Sequence, residues 1–352
     1  MRSPQARPNR SSRREEAQSS LPCPSPLSSQ LSTLTSLFPI VRPLLRKGCR
    51  WDWPGRCLAG QARRRIRREQ PDFVVVVGVT SLARYLLQSN VANRLLVWEL
   101  TNANPGNKFV DPEASRLLSR CRAMLSPSKT IDQNIRQTYG YEGPLLRLPF
   151  WIEESYQPFN SSTLQPFNFL FDFLFLGRRD VEKGLNELIR ATAEVAKSFP
   201  SLRVLIAGTG NEEPFATLCR NLGVAQNVSF RFFPTREETL AALAQARCLV
   251  LPSYHEGYPL VLLEAAQRGI PFIATRVGSA AEVFEGTGAG LIVPPRDDQA
   301  LANAMLAVLA EAPDQYAARR AAAYAVFRKI SSAETVRYSL TRLLESVPPS
   351  AL

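Results

Sequence analysis

Phe169-Leu-Phe-Asp-Phe-Leu-Phe-Leu176 runs straight into Gly177-Arg-Arg-Asp-Val-Glu-Lys-Gly184, and this junction sets the architecture of the chain. A short apolar, aromatic-rich run closed by glycine reads as a buried strand. An amphipathic helix over Leu185 to Phe199 follows, then a strand from Leu202 to Ala207 and a helix over Pro214 to Leu222 ended by Gly223. Val228 to Phe232, Cys248 to Leu251, Pro271 to Ala274 and Leu291 to Val293 supply four more strands, each separated by a helix. Strict alternation of this kind predicts an α/β domain with a doubly wound parallel sheet and right-handed crossovers. In such sheets ligands sit beyond the carboxyl ends of the strands, so the informative residues should directly follow strands.

Upstream, Phe73-Val-Val-Val-Val77 is a β-branched run expected of a strand buried on both faces. Leu95 to Trp98 and Ala123 to Leu125 repeat it, so 71–150 reads as a partial Rossmann-like domain of about four strands, joined through a hinge at 151–166 to a ligand-binding domain at 167–312. Residues 313–352 read as C-terminal helices and a tail. Residues 1–70 are rich in Ser, Pro and Arg and show no sustained period, which reads as a disordered basic tail, a transit peptide or non-native sequence.

The net charge of +12 belongs to that tail. It holds 15 Lys and Arg against 4 acids, whereas the remaining 282 residues carry 28 against 27. The folded part is close to neutral, which argues against a nucleic-acid groove. Six scattered cysteines show no metal spacing, and a lone His255 excludes a two-histidine zinc site. No apolar run reaches the roughly 18–20 residues of a membrane helix. These features point to a reducing, cytoplasmic setting, with peripheral membrane contact and organellar import through 1–70 as further options.

Three segments carry chemistry. Gly177 to Gly184 places Arg178 and Lys183, five residues apart, before a helix N-terminus, an arrangement suited to a diphosphate. Leu205-Ile-Ala-Gly208-Thr-Gly210 allows close backbone approach but lacks the third glycine of a dinucleotide fingerprint. In Pro252-Ser-Tyr-His-Glu256-Gly257-Tyr258-Pro259-Leu260-Val-Leu-Leu-Glu264-Ala-Ala-Gln-Arg-Gly269, Pro259 suits the first turn of a helix and Gly269 its C-terminal cap. Glu264 interrupts an apolar run, where a carboxylate is costly unless it binds something. Glu256, in the loop before that helix, can address the same cleft, and vicinal sugar hydroxyls are natural partners for two such carboxylates.

Taken in order, Gly-Arg-x4-Lys-Gly, Gly-x-Gly, Glu-Gly-Tyr-Pro-Leu-x3-Glu-Ala, Val277-Gly278 with Glu282, and Gly290-Leu-Ile-Val-Pro294 resemble the retaining glycosyltransferases of family 4 (group 1), which have the GT-B fold. The resemblance covers about 165–312. It implies a UDP-, GDP- or ADP-sugar donor, a glycan, lipid or small-molecule acceptor, and no metal or other cofactor. By resemblance Arg178 and Lys183 hold the donor diphosphate and Glu264 the ribose hydroxyls. Glu256 faces the donor sugar, and backbone groups at Gly177, Gly208, Gly210 and Gly257 to Leu260 line the site. The implied mechanism is front-face displacement, in which cations stabilise charge growing on the leaving diphosphate; losing one such donor costs roughly 3 kcal/mol in the barrier.

The sequence departs from that family towards its N-terminus. Only the second half of the expected acceptor-side domain is recognisable, and the usual histidine near the donor sugar is missing; Glu99 or Thr101 is the candidate replacement. The competing reading is a non-catalytic nucleotide-sugar-binding or scaffolding protein, or a truncated inactive product. A dinucleotide-dependent oxidoreductase fails on the missing fingerprint.

Overall fold

The computed structural model describes residues 53–100, 110–150, 152 and 169–346. The described chain builds two parallel sheets. The first is four-stranded, in the order β1 (Val74–Val77), β2 (Leu95–Trp98), β3 (Ala123–Ser126), β4 (Leu145–Arg147). The second has six strands: β5 (Phe171–Leu176), β6 (Val204–Ala207), β7 (Val228–Arg231), β8 (Ala246–Leu251), β9 (Phe272–Thr275) and β10 (Gly290–Val293). Its spatial order is β10-β9-β8-β5-β6-β7, all parallel. The helices of the first half are α1 (Trp53–Glu69), α2 (Ser81–Leu87), α3 (Pro112–Arg116) and α4 (Lys129–Tyr139). In the second half α5 (Leu185–Ala196), α6 (Glu213–Asn221), α7 (Arg236–Ala244), α8 (Leu260–Gln267), α9 (Ala280–Phe284) and α10 (Asp298–Ala310) alternate with the strands. Two further helices, α11 (Pro313–Ser331) and α12 (Ala333–Ser346), close the described chain.

Strand order in the second sheet has a mechanical consequence. The chain moves outward from β5 through β6 to β7, then returns to β5's other side for β8. Loops after β5 and β8 therefore diverge from neighbouring strands, and the gap between them is the switch point where α/β sheets receive ligands. Phe173, Leu174 and Phe175 of β5 and Cys248, Leu249 and Val250 of β8 are fully buried, which anchors both loops rigidly.

Helix α12 crosses back to the first sheet. Leu343 is buried with Leu96, Trp98, Leu125 and Leu148, with Val336 and Leu340 packed alongside. The Ser331 hydroxyl donates to the Phe150 carbonyl, and the Phe150 ring stacks on Trp98 at 5.5 Å.

Two expectations are corrected. Residues 53–69 are not part of an irregular tail; they form α1. Ala59, Ala62 and Ile66, three and four residues apart, give it an apolar stripe on the core, and the surrounding arginines hide that stripe from a reading by composition. Strand β1 is not buried on both faces either. It is the edge of its sheet; Val76 is buried but Val77 is exposed. The rest of the basic tail (1–52) and the hinge (151–166, apart from Ile152) lie outside the described residues. Among the described residues no helix is long and apolar enough to cross a membrane.

Candidate functional site

Glycines bring the loops of the second sheet together. Gly208, at φ +150°, lies so close to Gly177 that an added Cβ would stand 1.6 Å from the Gly177 carbonyl oxygen. Gly184, at φ +68°, packs against the Pro252 carbonyl, where a Cβ would come within 1.9 Å. Only glycine tolerates both the torsion and the contact. The loops after β5, β6 and β8 are thereby locked, and backbone bonds reinforce them: Arg179 N–H donates to the Thr209 carbonyl at 2.6 Å and Tyr254 N–H to the Glu182 carbonyl at 2.8 Å.

Across the switch point Lys183 Nζ lies 2.7 Å from Glu256 Oε1, with the two side chains 19% and 15% exposed. The Ser253 hydroxyl donates to the same carboxylate oxygen at 2.7 Å. Ser253 is itself fixed, since its carbonyl accepts the Thr275 hydroxyl at 2.5 Å. Both donors converge on Oε1, which leaves Oε2 without a hydrogen-bond partner among the described residues, and the carboxylate is aimed by its neighbours. Ser253 was not among the sequence candidates. A serine directly after a buried strand and Pro252 was the available signal.

Pro259 occupies the N-cap of α8, one position before the first turn where it was expected, and Leu260 opens the helix. Gly269, at φ +60°, follows its C-cap. Glu264 lies in the second turn, its side chain 15% exposed, with Oε1 2.9 Å from Arg236 Nη1. Arg236 starts α7, which follows the carboxyl end of β7, so this pair places Glu264 towards the carboxyl edge of the sheet, the edge at which such sheets receive ligands. Arg236 was missed as well; a cation in the first turn of a helix, opposed by the helix dipole, was the clue. Tyr258 is buried, and desolvation, with Glu282 nearby, pushes its hydroxyl up to about 12.

Not every candidate converges. Arg178 stays on the rim, its side chain 54% exposed and 3.5 Å from Asp180 Oδ2. It shares a loop with Lys183 but not its carboxylate. Arg179 is a structural tie, donating to the carbonyls of Gly210 and Arg231 at 3.2 Å each. Glu99 is fully buried and accepts from the Tyr139 hydroxyl at 3.2 Å; a carboxylate so enclosed does not line an open cleft. Thr101 lies outside the described residues. Among the described residues no cluster of three or more His, Cys, Asp or Glu side chains could hold a metal ion.

Comparison with known proteins fits this geometry. Residues 167–325 match the family Glycosyl transferases group 1. Glycogen synthase of Mycobacterium tuberculosis is 33% identical over 152 residues, which is 43% of this chain and 36% of the relative; the chain thus spans little more than a third of that relative's length. Among solved structures, sucrose-phosphate synthase from Thermosynechococcus elongatus superposes with a TM-score of 0.68 at 19% identity, covering 82% of this chain and 77% of that one. Anabaena HepE in complex with UDP gives 0.63 at 17% identity, covering 82% of each. The chain has a GT-B-like α/β fold, and its residues 167–325 carry the pattern of the glycosyl transferases group 1.

Proposed function

We propose that this chain transfers a sugar from a nucleotide-diphosphate sugar to an acceptor hydroxyl with retention of anomeric configuration. The observation that carries the reading is the Lys183–Glu256–Ser253 constellation at the switch point, with Arg236–Glu264 on the same edge. Lys183 stands beside the N-terminus of α5, where a cation and unbonded backbone N–H groups favour a diphosphate. Glu256, held through one oxygen, offers the other to hydroxyls of the donor sugar. Glu264, held through Oε1, offers its free oxygen to a ribose. As the glycosidic bond breaks, the electron pair passes to the diphosphate oxygen, and Lys183 with Arg178 stabilises the growing charge. The departing oxygen then takes the acceptor's proton, so the residues need supply no separate base.

The donor is a UDP-, GDP- or ADP-sugar, and UDP is the first to test because the HepE structure of like fold contains it. The acceptor is a glycan, lipid or small molecule. Thermal-shift screening with UDP-, GDP- and ADP-glucose, paired with donor hydrolysis, tests the reading. A shift with one nucleotide sugar and slow release of its diphosphate is expected. A shift without release means a binding protein; no shift with any donor removes the proposal.

A further inference from the structure

Glu282, four residues beyond Gly278, has no part in holding the donor as described above, yet it joins the layers of the two sheets through three hydrogen bonds. Its Oε1 accepts the Lys129 N–H at 2.7 Å, and its Oε2 accepts both the Thr130 N–H and the Thr130 hydroxyl at 2.8 Å. Lys129 and Thr130 are the first two residues of α4, which follows β3 of the first sheet. The third N–H of that helix goes to its own cap, Ser128 Oγ, at 3.2 Å. A helix of the acceptor-side sheet thus has two of its unpaired N-terminal donors satisfied by a carboxylate from the other sheet's layer. Beside it Ser128 Oγ and Ser279 Oγ lie 2.6 Å apart, both buried.

The same segment grips the donor loop. Ser279 N–H donates to the Gly257 carbonyl at 3.0 Å. Gly278, at φ +54°, sits where a Cβ would come within 2.3 Å of the Glu256 carbonyl and 2.4 Å of the Gly257 carbonyl. Five residues, Gly278 to Glu282, therefore connect the loop that carries Glu256 to the N-terminus of α4.

We propose that Glu282 is a positioning residue: by capping α4 across the two sheets it registers the acceptor-side half against the Glu256 loop, without touching the donor itself. The proposal rests on the function proposed above for its catalytic consequence, but the clasp can be read independently. Burial alone would raise the Glu282 pKa; the bonds from Thr130 and Lys129 outweigh it and hold the carboxyl below its usual range, consistent with an ionised cap.

The test compares the full-length wild type with Glu282→Ala and Glu282→Gln. Hydrogen exchange at the Lys129 and Thr130 amides reads the clasp directly, and far-UV circular dichroism checks folding. In Glu282→Ala both amides should lose at least roughly tenfold in protection, the scale of losing charge-assisted bonds at a helix N-terminus. Glu282→Gln, whose amide oxygen still accepts, should recover part of it. Nucleotide-sugar thermal shifts should stay as in the wild type, while turnover falls about tenfold at unchanged donor KM. Unchanged amide protection in Glu282→Ala overturns the clasp. Equal loss of donor affinity and turnover overturns the positioning role and makes Glu282 part of the donor site. A wild type that shifts with no donor defeats the function proposed above, whereas the exchange result still decides the clasp.

Discussion

Replacing Lys183 by Met separates a structural ion pair from a catalytic one. In the free protein Lys183 and Glu256 are 2.7 Å apart and about four-fifths buried. Deleting the ammonium leaves Glu256 with Ser253 as its remaining hydrogen-bond donor among the described residues. A hydrogen bond to a charged group contributes about 1.5–3 kcal/mol, and breaking a fully buried pair costs about 3–5. Residual solvent contact places this pair near the lower bound, at about 2 kcal/mol, or about 4–8 °C in melting temperature. The catalytic cost is separate: removing a donor aimed at transition-state charge costs about 3 kcal/mol, roughly a hundredfold in rate. Calorimetric melting and steady-state donor hydrolysis measure the two. The double variant Lys183→Met/Glu256→Gln removes the orphaned charge and should regain most of the lost stability but none of the turnover. Should single and double variants both turn over within threefold of wild type, the pair is a structural tie and the assignment of Lys183 fails.

Three further outcomes follow from the geometry. Gly208→Ala forces a Cβ towards the Gly177 carbonyl at a torsion L-residues avoid; it should destabilise by about 2 kcal/mol or more and abolish the nucleotide-sugar shift while circular dichroism stays native. Glu264→Ala should weaken donor binding at least about tenfold by calorimetric titration, as expected when a charged acceptor is removed, and Arg236→Ala, which leaves the carboxylate in place, should weaken it less. Glu282 has a depressed pKa in the fold, so its stabilisation is full above the unfolded carboxylate range and is lost as pH falls through the depressed value. The melting-temperature gap between wild type and Glu282→Gln should therefore be flat from neutrality down to the unfolded carboxylate range and narrow as the solution is acidified below it; a gap that does not narrow on acidification contradicts the ionised cap.

The second sheet was legible because its signals are local. Apolar runs of strand length ended by Gly177, Gly208 or Pro252 name both the strand and the loop that leaves it, and observed bounds differ from expected ones by a few residues at most. Glu264 was legible for a similar reason, a lone carboxylate among leucines and alanines. Ser253 and Arg236 were not. Their roles depend on partners in Glu256 and Glu264, three and twenty-eight residues away, that only the folded loop geometry supplies. In the first half the strands were visible but their burial was not, because β1 reads like a central strand and lies at an edge. Helix α1 was hidden by its arginines. The Glu282 cap could not be read at all: nothing in the sequence near Glu282 refers to Lys129 and Thr130, more than 150 residues earlier.

Charge bookkeeping at the ligand edge explains why the site is built from pairs. Two carboxylates beside a diphosphate would repel it if left bare. In the free protein each is matched by a cation, Glu256 by Lys183 and Glu264 by Arg236, so the edge is close to neutral before a donor arrives. Each pairing uses one carboxylate oxygen and leaves the second without a partner among the described residues, so under the proposed function the same residues would bind hydroxyls without giving up the ion pairs. Under the function proposed above, the initial attraction for a diphosphate would come from what is not so matched, the backbone N–H groups opening α5 and the exposed Arg178, whose contact with Asp180 at 3.5 Å is long for a hydrogen bond, with Lys183 adding its stabilisation as charge builds on the leaving group. Fixed backbone donors need no reorganisation when charge builds on a leaving group. Under the proposed function, the held carboxylates would take the sugar and ribose hydroxyls, and the unmatched donors the phosphates. That division rests on glycines at 177, 184 and 208, which hold the loops close enough for both.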